Sequence, residues 1–210
     1  MQIGEIYRES ITDQPNAWRT CRILDSEEIY HDFIKRLRIY VYPEDLILND
    51  EIKNTIGQLV LWYSNDKRFK GDINKGIILR GNCGTGKTMI LETLLDIIEF
   101  GDNKKPILIH VRDLQNHYIS NNHERIDTLK NRFLILIDDV GVENPDIKNF
   151  GTILEPFNDL FDYRYRNRLD TIISTNLTPE KIKDIYGDRI LDRFKESFNE
   201  YVFDFKSLRK

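Results

Sequence analysis

Eight consecutive residues, Gly81-Asn82-Cys83-Gly84-Thr85-Gly86-Lys87-Thr88, spell GxxxxGK[ST] in full. Binding a polyphosphate asks for residue types of this kind at this spacing. Glycines let the backbone wrap closely around an anion, and the free N–H groups at a helix start point at it. A lysine just beyond the loop reaches the β- and γ-phosphates, and the hydroxyl after it is a hard oxygen ligand for Mg²⁺. The whole loop, Gly81 to Thr88, is therefore the candidate ATP site, with Thr88 on the metal.

A second group lies about fifty residues on. The run Phe133-Leu-Ile-Leu-Ile-Asp138-Asp139 is an apolar strand ending in two carboxylates. Open α/β sheets place their ligands at that end of the strands. Side chains alternate along a strand, so the two acids are expected to differ in role. Asp138 is the candidate Mg²⁺ partner, directly or through water. Asp139 is the candidate to orient and polarise the attacking water; a carboxylate with a reference pKa of about 3.9 is a weak base, so orientation and electrostatics carry most of that role. Farther on, Asn176 ends the apolar stretch TIISTN, where an amide can hold a water near the γ-phosphate. Arg189 and Arg193 are four apart and share a helix face. A guanidinium supplied to a neighbour's nucleotide stabilises transition-state charge, although pairing with Asp188 and Asp192 is an equally simple use of that spacing.

The elements that must hold these groups can be read from periodicity. GIILRG, PILIHV, RFLILIDDVG and TIISTNL are continuous apolar runs, with YVFDF at 201–205 as a last strand. Helical stretches separate them: Lys87 to about Gly101, RDLQNHYIS, PFNDLFDYRYRN and IKDIYGDRILDRFKES. That alternation predicts an α/β fold, a parallel sheet covered by helices on both faces. In front, Ser26 is expected to cap a helix with Ile29, Phe33, Leu37 and Tyr40 on one face and Pro43 as its stop. A second helix, from about Glu51 to Asn65, carries Ile52, Ile56, Leu59, Val60 and Tyr63 on one face.

Composition sets limits. The 210 residues hold 31 basic and 35 acidic side chains, a net charge of -4, which argues against a strongly basic nucleic-acid coat but not against a local patch. Such a patch is offered by Arg164, Arg166 and Arg168 alternating with Tyr163 and Tyr165, with Lys104, Lys105, Lys130 and Arg132 nearby; arginines and aromatics together suit single-stranded DNA. No apolar run reaches membrane-spanning length, and the first residues lack a secretory signal. Two cysteines, Cys21 and Cys83, make neither a disulfide framework nor a zinc cluster. A cytoplasmic protein is the expectation.

The phosphate loop at 81–88, LILIDDVG at 134–141, STN at 174–176 and DRILDRF at 188–194 together resemble the AAA+ ATPases. More narrowly they resemble the bacterial helicase loaders and transposition helpers, the DnaC-like and IstB-like proteins, over about residues 50–205. The resemblance implies a P-loop NTPase core over 51–210, lacking the C-terminal helical lid of the wider superfamily. Residues 1–50 become a helical N-terminal region that meets a partner. It implies that Asp138 coordinates Mg²⁺, that Asp139 is the catalytic acid, that Asn176 is sensor 1 and that Arg193 is the arginine finger with Arg189 close behind. It implies an ATPase acting in DNA replication, with a replicative helicase or a transposase as partner and homo-oligomerisation when ATP is bound. A nucleotide-binding module with negligible turnover, or a small-molecule kinase, remains an alternative on the residues alone.

Overall fold

The computed structural model describes residues 25–39, 48–102, 105–143, 147–149 and 152–203. Chain order is α1 (Ser26–Leu37), α2 (Asp50–Tyr63), β1 (Gly76–Gly81), α3 (Lys87–Asp102), β2 (Ile107–His110), α4 (Val111–Ile119) and α5 (His123–Asn131). Then come β3 (Leu134–Val140), β4 (Ile147–Asn149), β5 (Thr152–Leu154), α6 (Pro156–Arg166), β6 (Asp170–Thr175), α7 (Pro179–Tyr186), α8 (Asp188–Ser197) and β7 (Phe198–Phe203).

Five strands form one sheet in the order β2-β3-β6-β1-β7, and every pairing in it is parallel. The apolar runs explain why. Ile77 and Leu79 of β1, Leu134 and Leu136 of β3 and Ile172 of β6 pack into a core with α1, α2 and α3. The residues between them, Ile78, Ile135, Ile137 and Ile173, pack into a second core with α4 to α8. Strands buried on both faces have no polar side to show in the sequence. Each such side chain contributes about 1.5–3 kcal/mol on burial. The expected α/β architecture is thus the observed one. Strand β6 lies between β1 and β3, so the polar tip of TIISTN stands between the glycine loop and the acidic strand end.

Helix α2 forms as its spacing predicts. The Asn49 side chain accepts the Ile52 N–H at 2.8 Å, Asp50 and Glu51 sit at the positive end of the helix dipole, and Ile52, Ile56, Leu59, Val60 and Tyr63 are all buried. The Trp62 indole donates to the Lys75 carbonyl at 2.8 Å and anchors the helix to the entry of β1.

Four expectations need correction. The cap of α1 is Asp25, whose carboxylate accepts the Glu27 N–H at 2.9 Å; Ser26 turns inward and donates to Asp66 at 3.1 Å. The helix ends at Leu37, and Tyr40 and Pro43 lie outside the described residues, as do Cys21 and Lys104. The single helix expected over 182–197 is two, α7 and α8, separated by Gly187 at φ 86°, a conformation a side chain disfavours. The last strand starts at Phe198, three residues before YVFDF, whose Asp204 and Phe205 lie outside the described residues. Helix α5 and the small β4–β5 antiparallel hairpin were not expected at all. Among the described residues no helix is long and apolar enough to cross a membrane.

Candidate functional site

The glycine loop joins β1 to α3. Gly84 and Gly86 take φ of 83° and 88°, the left-handed backbone that lets successive N–H groups turn inward at the start of α3. Thr85 is buried and its hydroxyl donates to the Asn82 carbonyl at 2.9 Å, closing the loop. Lys87 is buried as well; its ammonium donates to the carbonyls of Gly81 and Asn82 at 2.7 and 2.8 Å and so stands at the loop itself. Asn82 and Cys83 are exposed at the tip, and the Cys83 thiol is free.

The first turn of α3 meets the end of β3. Thr88 donates to Asp138 Oδ2 at 2.9 Å, although the residues are fifty positions apart. Asp138 is buried, and its other carboxylate oxygen accepts from the Ser174 hydroxyl of β6. That hydroxyl in turn accepts the Asp139 N–H at 2.8 Å. Ser174 therefore holds the Asp138 carboxylate and fixes the start of the turn that follows. A hydroxyl and a carboxylate side by side are the hard oxygen donors Mg²⁺ takes. The surrounding charge fits a cation: burial, the Asp138 charge and then the Asp96 charge raise the pKa of Glu92, one turn along α3. The donor chemistry of Thr88 and Asp138 thus fits Mg²⁺. Among the described residues no group of three or more His, Cys, Asp and Glu side chains forms an all-protein metal cage.

Asp139 leaves the strand pattern. Its φ is 58°, and the β3–β6 register shifts between Ile137 and Val140. The two carboxylates are set apart by this backbone break and not by simple strand alternation. The Asp139 carboxylate is partly exposed and lies 3.5 Å from His110 Nε2. His110 ends β2 opposite Asp138, and its Nδ1 accepts the Arg112 N–H at 3.2 Å, capping α4. An accepting Nδ1 assigns the neutral ring's proton to Nε2, the atom nearest Asp139.

Asn176 is exposed at the end of β6. Arg189 and Arg193 stand apart from this cluster. Both pair with Asp162 of α6, Arg189 at 2.7 Å, and Arg193 also lies over the Tyr165 ring. The loop, Asp138, Asp139 and Asn176 are thus gathered at one sheet end, while the two arginines are held on α8. Sequence reasoning missed Ser174 and His110. A Ser within STN and a His closing an apolar run carry no spacing of their own; only the strand order gives them meaning.

The basic patch expected around Arg164 is only partly at the surface. Arg164 is fully buried, because it falls on the same helical face as Phe157, Leu160 and Phe161. Its guanidinium donates to the carbonyls of Leu129, Lys130, Arg132 and Asp170 and to the Thr171 hydroxyl. The Tyr163 ring is covered by Lys130, which itself pairs with Asp159 at 2.7 Å. The Tyr165 hydroxyl donates to Glu196 at 2.7 Å. Neither ring is an open stacking platform. Arg166 and Arg168 remain exposed and line, with Lys75, a groove of about 960 Å³ at the end of the sheet opposite the glycine loop.

No known protein-family model matches the chain. A curated relative, the uncharacterized protein YqaM of Bacillus subtilis (strain 168), is 25% identical over 161 residues, 73% of this chain and 50% of the relative. The chain therefore spans half the length of that relative. Among solved structures, the DnaC helicase loader superposes with TM-score 0.62 at 18% identity, covering 80% of this chain and 99% of that one. DnaI superposes at 0.61 and 19% identity, covering 89% and 95%. The replication initiator DnaA bound to AMPPCP and single-stranded DNA superposes at 0.57 and 21% identity, covering 78% and 50%. The parallel five-stranded sheet, with its glycine loop after β1 and its acids at the end of β3, is a fold shared with the DnaC, DnaI and DnaA chains.

Proposed function

We propose that this chain is an Mg²⁺-dependent ATPase of helicase-loader type, an ATP-driven switch acting on a replicative helicase and on single-stranded DNA. The observation that carries the nucleotide half is the Thr88–Asp138 hydrogen bond, which joins the phosphate loop to the acidic strand end. Loop amides and Lys87 bind the phosphates; Thr88 and Asp138 hold Mg²⁺, which supplies charge neutralisation on the phosphate oxygens. Asp139 and Asn176 orient the attacking water. An arginine from a neighbouring copy completes the site, so turnover rises on assembly. The loader half is supported by a likeness that covers nearly the full length of the DnaC and DnaI chains.

Capture experiments test the partner. The full chain is expected to retain the host replicative helicase with ATP and to lose it with Lys87→Ala; helicase capture that ignores both ATP and Lys87 would overturn the switch. Ser174→Ala is expected to weaken Mg²⁺-dependent binding of a fluorescent ATP analogue about tenfold, because hydrogen-bond partners that orient a metal's carboxylate are worth about 10–100-fold in metal affinity. Magnesium titration at fixed nucleotide reads that effect, and an unchanged curve would remove Ser174 from the site.

A further inference from the structure

Asp139 sits on a turn that is held from outside its own strand. It takes φ 58°, and Gly141 takes φ 103°. A residue other than glycine stays in that region only where its surroundings fix it. The near side of the turn is tied to β6. Ser174 accepts the Asp139 N–H at 2.8 Å, and the Thr175 hydroxyl donates to the Val140 carbonyl at 2.6 Å. On the far side the Val142 N–H returns to the Asp139 carbonyl at 3.2 Å, and Glu143 Oε2 accepts the Gly141 N–H at 2.7 Å. A Cβ at Gly141 would lie 2.3 Å from Leu177 Cδ1, so the turn is packed closely against the residue that follows Asn176.

Glu143 is itself held. Its other oxygen, Oε1, accepts the hydroxyl of Tyr186, the last residue of α7. Tyr186 is 6% exposed, and its ring centre lies 5.0 Å from that of Phe157. Burial, and then the charge of Glu143, raise the pKa of the phenol, so the hydroxyl is the donor. Phe157, Phe161, Phe194 and Phe198 continue the aromatic cluster with rings that carry no polar group. A bare ring would serve the packing at position 186. The hydroxyl is what reaches the turn, and one carboxylate joins it to a peptide N–H two residues beyond Asp139.

We propose that Tyr186 is a positioning residue for Asp139: through the Glu143 carboxylate it sets the turn that aims the acid, and so links the end of α7 to the rate of hydrolysis. This rests on the ATPase reading above. Neither residue touches nucleotide. Tyr186 acts on Glu143, Glu143 on the Gly141 N–H, and the turn on Asp139.

Steady-state ATP hydrolysis by the full chain, with a fluorescent ATP analogue for affinity, tests it. Tyr186→Phe keeps the ring and removes the donor. It is expected to lower kcat about tenfold, within the roughly 10²-fold that a misplacement of about 1 Å costs, and to change KM and analogue affinity less than about twofold. Glu143→Ala is expected to do the same. The double variant is expected to be no slower than Glu143→Ala alone, because contacts in one network are not additive. Glu143→Gln is expected to recover most of the loss, since an amide can accept the Gly141 N–H and donate to the Tyr186 oxygen. A pair that only stabilises the fold would lower the melting temperature and leave kcat unchanged below it, and that result overturns the proposal. So does a joint fall in kcat and affinity. Losses that multiply in the double variant overturn the route through Glu143. If Tyr186→Phe folds poorly, the contrast between Glu143→Ala and Glu143→Gln carries the test: equal rates for the two overturn the proposal. A wild-type rate at background overturns the ATPase reading itself, and this inference with it.

Discussion

Asp139→Asn is expected to lower ATP turnover by about 10²- to 10⁴-fold, the usual worth of a positioned proton acceptor, while nucleotide binding stays near wild type. The geometry makes this substitution a clean one. Asp139 has φ 58°, a backbone region in which Asn is as comfortable as Asp, so the turn after β3 keeps its shape. The bond that fixes that turn is made by the Asp139 N–H to Ser174 and survives the change. Asp138, Thr88 and Lys87 keep their contacts with one another and with the loop. Only the carboxylate beside His110 is lost. Phosphate release is measured at high protein concentration with single-stranded DNA, and affinity with a fluorescent ATP analogue. Lys87→Ala provides the contrast, losing affinity as well as rate. Equal, background-level rates for wild type and Asp139→Asn under these conditions would leave the chain as a nucleotide-binding module without turnover.

How much of this was legible in the sequence depends on how each element is stabilised. Strands β1, β3 and β6 are buried on both faces and announce themselves as apolar runs, and the glycine loop is a local pattern. The break between α7 and α8 is hidden for a physical reason. Ile182, Tyr186, Ile190 and Phe194 are all buried at four-residue intervals straight across Gly187, so the periodicity continues where the backbone does not. Helix α5 offers only Ile126 and Leu129 to the core, too few to show a face, and β4 and β5 are three residues each. In the site, Asp138 and Thr88 were found through their motifs. Ser174 and His110 reach the two acids only because β6 and β2 flank β3, which is a property of strand order and leaves no trace in spacing.

Arg164→Met is expected to destabilise the fold by about 3–5 kcal/mol, because several buried carbonyls lose their donor at once. The alternation in DYRYRNR disguises this residue as part of a charged surface, yet its spacing from Phe157, Leu160 and Phe161 places it inward. The acceptors show what it does there. Leu129 and Lys130 lie in the last turn of α5, whose carbonyls have no partner within the helix. Arg164 takes the Leu129 carbonyl at 2.8 Å, the Arg132 carbonyl at 2.8 Å and the Thr171 hydroxyl at 3.0 Å, with longer contact to Lys130. A cation at the negative end of a helix adds to these bonds. One side chain thereby ties the end of α5, the entry to β3 and the entry to β6. Burial lowers its pKa to about 9, with Asp170 opposing the shift, so the guanidinium is charged at neutral pH. Methionine fills much of the volume but leaves several buried carbonyls unpaired, each worth about 1–3 kcal/mol. Lysine supplies a point charge without the planar fork and is expected to recover less than half of the loss. Urea unfolding monitored at the two tryptophans reads both variants against Arg166→Ala, an exposed neighbour expected to stay within about 0.5 kcal/mol of wild type. A wild-type midpoint for Arg164→Met would show that α5 closes its own end by other means, and that the buried arginine is a passenger in the fold.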